Sequence, residues 1–380
     1  MKAPSVTARA TLLAGAWLVP AALLAQGPPT AFAGVQARTV SFSTTAGGIK
    51  SVSEIAVPIA LLWPATPRLS FDLGGYYASA TRKGSNDSSA TISGLTDIQV
   101  RGVYQIVPDL AVLSVSANLP TGTSKLKDNQ LLTAGAIASD LLPYPVANFG
   151  SGFNLTSGLA LALPVGGWAI GVAGSYRLNG DFTPFADSGA GSYKAGGEFR
   201  VRLGADRVVG QGRVSLGVTY SSFGEDNFAS SPIFQSGNRW IGQGSWSFPI
   251  GNMALQLYAW DLYRSAGSQL DSTGKSVAST QKRNVLAFGA AGAVQMGRNV
   301  LRPQLEYRIH TLGGSSLSNA GNLLSVGAQY QWAVGARFAL VPSLRFDMGT
   351  QYVLDGVGNP TSQSDKLAGW NFGLMLRTTM

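Results

Sequence analysis

The 380-residue chain has no cysteine and one histidine, and only 12% of its residues are charged. No disulfide can staple it, so its fold must be held by backbone hydrogen bonds and packing. With no thiolate, a single imidazole and no carboxylate cluster of the calcium-loop type, no metal-ligand set is visible. A Ser-His catalytic pair would have to use His310, so a lipid hydrolase is the weakest of the functions considered. The glycine-rich stretches GLTDIQVRG and GAAGAV do not form a phosphate loop before a helix. No catalytic residue, cofactor or metal is therefore expected. Long apolar runs are also missing: beyond the N-terminus nothing approaches the about 18 residues that a membrane helix requires.

Residues 1–33 read as an export signal. Lys2 and Arg9 supply the positive start, TLLAGAWLVPAALLA the apolar stretch, and Ala31-Phe32-Ala33 a small-x-small site before Gly34. Cleavage after Ala33 is the first choice and cleavage after Ala25 the second. Residues 34–380 then form one domain.

What the chain has in quantity is glycine, 48 residues of it, and alternation. About ten alternating residues, a turn and another ten recur along its length. The short turns are WPATP (63–67), IVPD (106–109), PVGG (164–167), DRVVGQG (206–212), FPIGN (248–252), MGRN (296–299) and AVGA (333–336). Between them lie long polar segments at 81–91, 178–192, 224–238, 266–280 and 356–365. Strict alternation of short and long connections is the mark of an all-β, antiparallel transmembrane barrel with short periplasmic turns and long extracellular loops. Placing both termini on the periplasmic side requires an even strand number. Taking TVSFSTT (39–45) as the first strand predicts 16 strands; if 39–50 plugs the lumen instead, 14 is the alternative.

One parity of each strand must face lipid and the other the interior. The hairpin DIQVRGVYQIVPDLAVLSVSANLPTG (97–122) sets Ile98, Val100, Tyr104, Ile106, Leu113, Val115 and Leu119 against Asp97, Gln99, Arg101, Ser114, Ser116 and Asn118. Apolar rows recur at Val214, Leu216, Val218 and Tyr220, and at Trp370, Phe372, Leu374 and Leu376. Aromatics at row ends, among them Trp63, Trp168, Tyr176, Trp246 and Trp332, fit interfacial girdles. Two strands resist the rule. In MALQLYAWDLYR (253–264) Leu255 and Leu257 lie on one parity but Tyr258, Trp260 and Leu262 on the other, and in NVLAFGAAGAV (284–294) both parities are apolar or small, which predicts a bulge, an interior apolar patch or a gap in the wall. KLKDNQLLTAGAIASDLLPY (125–144), in the longest outside loop, has helix-like spacing at Leu131, Leu132, Ala134, Ala138, Leu141 and Leu142 and predicts a lid or a cover for the barrel edge.

Gly94, Leu95, Asp97, Tyr104, Asp109 and Leu119-Pro120-Thr121-Gly122, with the later Gly150-Ser151-Gly152-Phe153-Asn154, carry a family likeness. A Gly-Leu-x-Asp strand opening, a Tyr near the strand end and a strand closing on Leu-Pro-Thr-Gly resemble the bacterial outer-membrane family of the meta-pathway of phenol degradation. That family is related to the FadL-type fatty-acid and hydrocarbon transporters. The resemblance spans about a quarter of the chain and implies a barrel that takes up hydrophobic compounds. The Asn-Pro-Ala start of the fatty-acid transporters is missing from GVQARTVSFS, and the chain ends in Met380 where such barrels usually end in Phe.

Without Lys2 and Arg9 the 28 basic residues become 26 against 19 acidic ones, a net charge of about +7. The candidate lumen residues are Arg68, Asp97, Arg101, Lys194, Glu198, Arg200, Arg202, Arg239, Arg302, Glu306, Arg308, Arg345 and Asp347. An open pore so lined favours anions; ladders of salt bridges would fill a closed one. The basic residues form no clustered stripe, so nucleic-acid binding is not expected. The expected partners are outer-membrane lipids, surface lipid phosphates beside Arg82, Lys83, Lys125, Lys127, Lys275 and Lys282, the barrel-assembly machinery through 367–380, and a small-molecule solute. The reading is a passive channel, in the outer membrane of a Gram-negative-type bacterium, for small hydrophobic or amphipathic, including anionic, compounds. Its alternative is a structural or surface-interaction barrel with a blocked lumen.

Overall fold

A computed structural model describes residues 28–186, 191–314, 316–355 and 359–379. Most of the export signal lies outside them. The chain opens with β1 (Thr30–Phe42), β2 (Ile49–Pro64), β3 (Leu69–Gly84), β4 (Ser89–Leu95), β5 (Ile98–Val107) and β6 (Ala111–Leu119). Helix α1 (Asp128–Ile137) follows, then β7 (Asn154–Val165), β8 (Trp168–Asn179), β9 (Tyr193–Lys194), β10 (Glu198–Val209) and β11 (Gly212–Phe223). After β12 (Glu225–Phe228) and β13 (Ser231–Gln235) come β14 (Arg239–Ile250) and β15 (Met253–Arg264). Next are β16 (Ser268–Leu270), β17 (Ser276–Ser279), β18 (Lys282–Met296) and β19 (Asn299–Gly313). The last are β20 (Ser318–Ala333), β21 (Phe338–Leu354) and β22 (Pro360–Thr379).

Each long strand pairs antiparallel with its neighbours, and β1 pairs with β22 from Thr30 opposite Thr379 to Phe42 opposite Leu367. The sheet is therefore closed, and closure leaves no row of unpaired amides in the membrane. β3 pairs with β5 through its first half and with β4 through its second. β4 and β5 are thus one strand broken at Thr96–Asp97, and the wall has 16 strands. The 14-strand alternative falls because the N-terminal segment is a wall strand. That strand begins nine residues before the expected Thr39 and runs to Phe42.

All seven short turns lie at the end of the barrel that also holds Thr30 and Thr379. Asp109 adopts φ 62° in one of them, and the two-residue turn at Gly166 and Gly167 has φ 56° and 81°, a left-handed backbone that glycine takes without steric cost. At the other end the long segments do not remain loops. β9, β12, β13, β16 and β17 join into a second, five-stranded sheet above the mouth. Tyr193 donates to Asp226 there at 2.6 Å, and burial together with that carboxylate raises the ionisation of its hydroxyl above the usual tyrosine range.

The apolar parity points outward throughout. Ile59, Leu163, Leu216, Phe346 and Trp370 are all exposed, a belt that water would not tolerate and lipid would. β15 pairs with β14 and β18 over its whole length without a register shift. Neither bulge nor gap is found there: Tyr258, Trp260 and Leu262 share the inward parity and form an interior apolar patch.

The buried hydrophobic core lies inside the barrel. Val40, Val52, Ala56, Ala78, Ala80, Ile92 and Leu323 project from the wall onto Ile137, Leu141, Leu142, Tyr144, Val146 and Phe149. The long connection between β6 and β7 thus divides its work. β6 ends at Leu119 opposite Ile98, so the far edge of β4 lacks a strand neighbour. Thr123 N donates to Leu95 O at 3.1 Å, Gln130 Nε2 to Thr91 O at 2.8 Å and Thr133 Oγ1 to Ala90 O at 3.1 Å, which covers that edge. The rest, 138–149, descends into the lumen. Helical spacing at Leu131, Leu132 and Ala134 falls within α1, whereas Ala138, Leu141 and Leu142 belong to the irregular descending chain.

Candidate functional site: a plugged and charged lumen

The descending segment is held to the wall by polar ties at Glu54, Arg38, Arg283 and Val52, whose carbonyl accepts from Tyr144 Oη at 3.4 Å. Val146 N donates to Glu54 Oε1 at 2.8 Å. Arg38 Nη1 donates to Pro143 O at 2.7 Å, and its guanidinium lies 5.1 Å from the centre of the Tyr144 ring. On its other side Arg38 Nη2 stands 2.8 Å from Asp347 Oδ2, both side chains almost wholly buried. Neither atom makes an aligned hydrogen bond, so this contact is ionic by distance alone. Asp347 is completed by Ser325 at 2.6 Å and Arg345 at 2.8 Å. A buried carboxylate needs such company, because an uncompensated charge there is expensive.

A second charged group occupies the other side of the lumen. Glu198 Oε1 accepts from Arg200 Nη2 at 2.8 Å and from Arg239 Nη2 at 2.7 Å. The ladder sets Arg200 opposite Ser221, Ser221 opposite Arg239, Arg239 opposite Arg264 and Arg264 opposite Arg283. Four arginines from β10, β14, β15 and β18 therefore lie at one level, three of them on adjacent strands. Arg177 stands beside Glu198. Asp140, on the descending segment, accepts from Arg283 Nη1 at 3.1 Å. Two rungs deeper and beyond, Leu262, Val285, Trp260 and Ala287 present apolar surface on the same two strands. Arg308 lies 5.2 Å from the Trp260 ring, with its Nε donating to Glu306 at 2.7 Å.

The expected lumen residues divide accordingly. Glu198, Arg200, Arg202 and Arg239 face inward from β10 and β14; Arg302, Glu306 and Arg308 do so from β19; Arg345 and Asp347 from β21. Arg101 also points inward, with Nε 2.6 Å from Asp72 Oδ2. Three do not belong to the lumen wall. Arg68 is exposed in the short turn between β2 and β3. Lys194 lies in β9 of the outer sheet, opposite Asn227, because the barrel strand starts only at Glu198. Asp97 sits at the break between β4 and β5, where it accepts from Gly122 N at 3.0 Å and Ser151 N at 2.7 Å. It ties the two ends of the long connection together. Sequence reasoning missed Arg38, Asp140, Arg264 and Arg283. Arg38 shares the parity of Val40 and Phe42, a signal that could have found it; the common level of the arginines depends on register and leaves no such trace.

His310, on the inward parity of β19 opposite Val285, has a buried Nε2 without a hydrogen-bond partner among the described residues. Among the described residues no serine hydroxyl is hydrogen-bonded to it.

Closed wall, lipid-facing belt and charged interior define the class: a 16-stranded transmembrane β-barrel, its lumen occupied by its own chain. No protein-family model matches the sequence, and no curated protein does. Among solved structures it is similar to the CymD monoaromatic hydrocarbon channel at 12% identity and a TM-score of 0.45, covering 95% of this chain and 91% of that one. It is also similar to a FadL homologue of Pseudomonas aeruginosa (10%, TM-score 0.47, 94% and 92%). The anion-selective porin from Comamonas acidovorans gives 14%, a TM-score of 0.40, and coverage of 93% and 98%. Identity of this order gives no residue-by-residue correspondence within the lumen.

Proposed function

We propose that the chain is a passive outer-membrane channel of a Gram-negative-type bacterium, opened when residues 138–149 leave the lumen, and that it admits small amphipathic or anionic solutes. The observation that supports this most is the nature of the occluding segment. It contributes no strand to the wall and is held by the polar ties of Arg38, Glu54 and Arg283 and by side-chain packing, so it can withdraw without breaking the barrel. Solutes would then pass a wall whose unbalanced charge is positive, since Arg177, Arg200, Arg202, Arg213, Arg239, Arg264 and Arg283 meet Glu198, Asp206 and Asp140. A low-dielectric wall focuses that field and draws anions in. No ATP or cofactor is needed for such movement down a gradient. The belt residues meet lipid, the basic rim residues meet lipid phosphates, and residues 367–380 meet the assembly machinery.

A second reading, a structural barrel that never opens, draws support from the apolar core inside the lumen. Planar-bilayer recording separates the two. The channel gives anion-preferring current that grows when Tyr144→Ala loosens the segment, and its loss from cells slows solute uptake. A barrel silent in both forms, with uptake unchanged in its absence, is the structural one.

A further inference from the structure

Three guanidinium groups on adjacent strands at one level, with a fourth beyond one intervening strand, are not a stabilising arrangement. Like charges placed directly opposite in a sheet repel, and a barrel wall accepts serine or asparagine at such positions, as at Ser114, Ser116 and Asn118. Compensation within the row is incomplete. Glu198 serves Arg200 and Arg239 at one end, and Asp140 serves Arg283 at the other. Between them, Arg264 has no hydrogen bond or ion pair of its own among the described residues, and its buried Nε is unpartnered there. The charges facing Arg264 are Asp140, Arg283, Arg239 and Glu198. Guanidinium is planar, weakly hydrated and matched to the two oxygens of a carboxylate or phosphate. Four guanidinium groups thus share two carboxylates, and the place beside Arg264 is open to an oxyanion.

Asp140 differs from Glu198 in one respect. Glu198 belongs to the wall, whereas Asp140 belongs to the segment that fills the lumen; its bond to Arg283 is the longest of the three contacts and its carboxylate is the more exposed of the two. We propose that Arg239, Arg264 and Arg283 form a binding site for the oxyanion group of a solute, and that Asp140 is its built-in competitor, an internal carboxylate that an incoming anion replaces on Arg283. Exchange removes a tie between the wall and the filling segment, so anion capture and loosening of the plug are one event. Directly below, Leu262 and Val285 offer apolar contact, about 7 Å away at the usual strand rise per residue. A carboxylate carried on a ring can therefore use both surfaces, and inorganic phosphate only the first. The proposal deepens the channel reading by naming the group that is captured, but binding itself requires no transport.

Isothermal titration of the purified, detergent-folded full chain tests it with two probes, benzoate and inorganic phosphate, in chloride-poor buffer. Both bind; benzoate is retained more tightly. Arg264→Gln weakens both by tenfold or more. Asp140→Asn, which removes the competitor and leaves the arginines in place, tightens both severalfold and raises the rate of proteolysis within 138–149. Arg101→Gln, paired with Asp72 elsewhere in the lumen, leaves binding unchanged. Heat-modifiability on gels shows that each variant has folded. If Arg264→Gln leaves affinity intact, or Asp140→Asn weakens it, the site is overturned. A chain that binds both anions yet passes no current refutes the channel reading and keeps this one.

Discussion

At the scale of the residue, Arg38 decides more than any other side chain. It is the fully buried cation of the lumen's first strand, and it binds the wall at Asp347 and the filling segment at Pro143. Removing one partner of a buried ion pair costs about 3 to 5 kcal/mol because the other charge stays behind. Here Arg345 and Ser325 continue to serve Asp347, so Arg38→Gln is expected to cost about 3 kcal/mol, seen as a lower urea midpoint for the folded barrel. The same change should expose 138–149 to added protease, since Tyr144 and Pro143 lose their anchor. Undiminished protection in a destabilised barrel would show that packing alone retains the segment. Asp97 teaches the opposite lesson about reading parity. It falls on the polar side of an alternating run, but the run is interrupted beside it, and its carboxylate closes a loop instead of lining a pore.

At the scale of the element, alternation was enough to orient nearly every wall strand. β11 is an example: Val214, Leu216, Val218 and Tyr220 face lipid, and Arg213, Ser215 and Ser221 face inward. Leu216 is central in that strand, opposite Ala205 and Gly244. Leu216→Arg should therefore cost about 2 to 4 kcal/mol in refolding into lipid vesicles, while Ser215→Arg, one residue along, should cost far less. Equal losses would show that the belt is misassigned. Alternation says nothing, however, about a strand paired on one side only. β4 reads like its neighbours, yet its free edge is supplied with side-chain partners by α1. The outer sheet was equally hidden, because β9 and β16 are two and three residues long and short pairings carry no periodic signal.

At the scale of the whole molecule, closure depends on β1. Thr30 to Ala33 pair with Leu376 to Thr379 on one side and with Ile59 to Leu62 on the other. An export cut after Ala33 would remove these pairs from both seams, and a cut after Ala25 would keep them. N-terminal sequencing of the mature protein is expected to begin at Gln26. A start at Gly34 would mean that the barrel closes on a shortened first strand.

The sequence by itself determined the class: strand period, the sorting of short turns from long connections, the even strand number and the lipid-facing rows all follow from a two-residue repeat and the need to satisfy every amide in a membrane. Tertiary structure decided what fills the barrel. Whether Leu141, Tyr144 and Val146 lie above the mouth or within it, and whether Arg239, Arg264 and Arg283 share a level, depends on contacts between residues far apart in the chain. Register and loop descent are settled by pairing across the closed wall, and no local pattern encodes either.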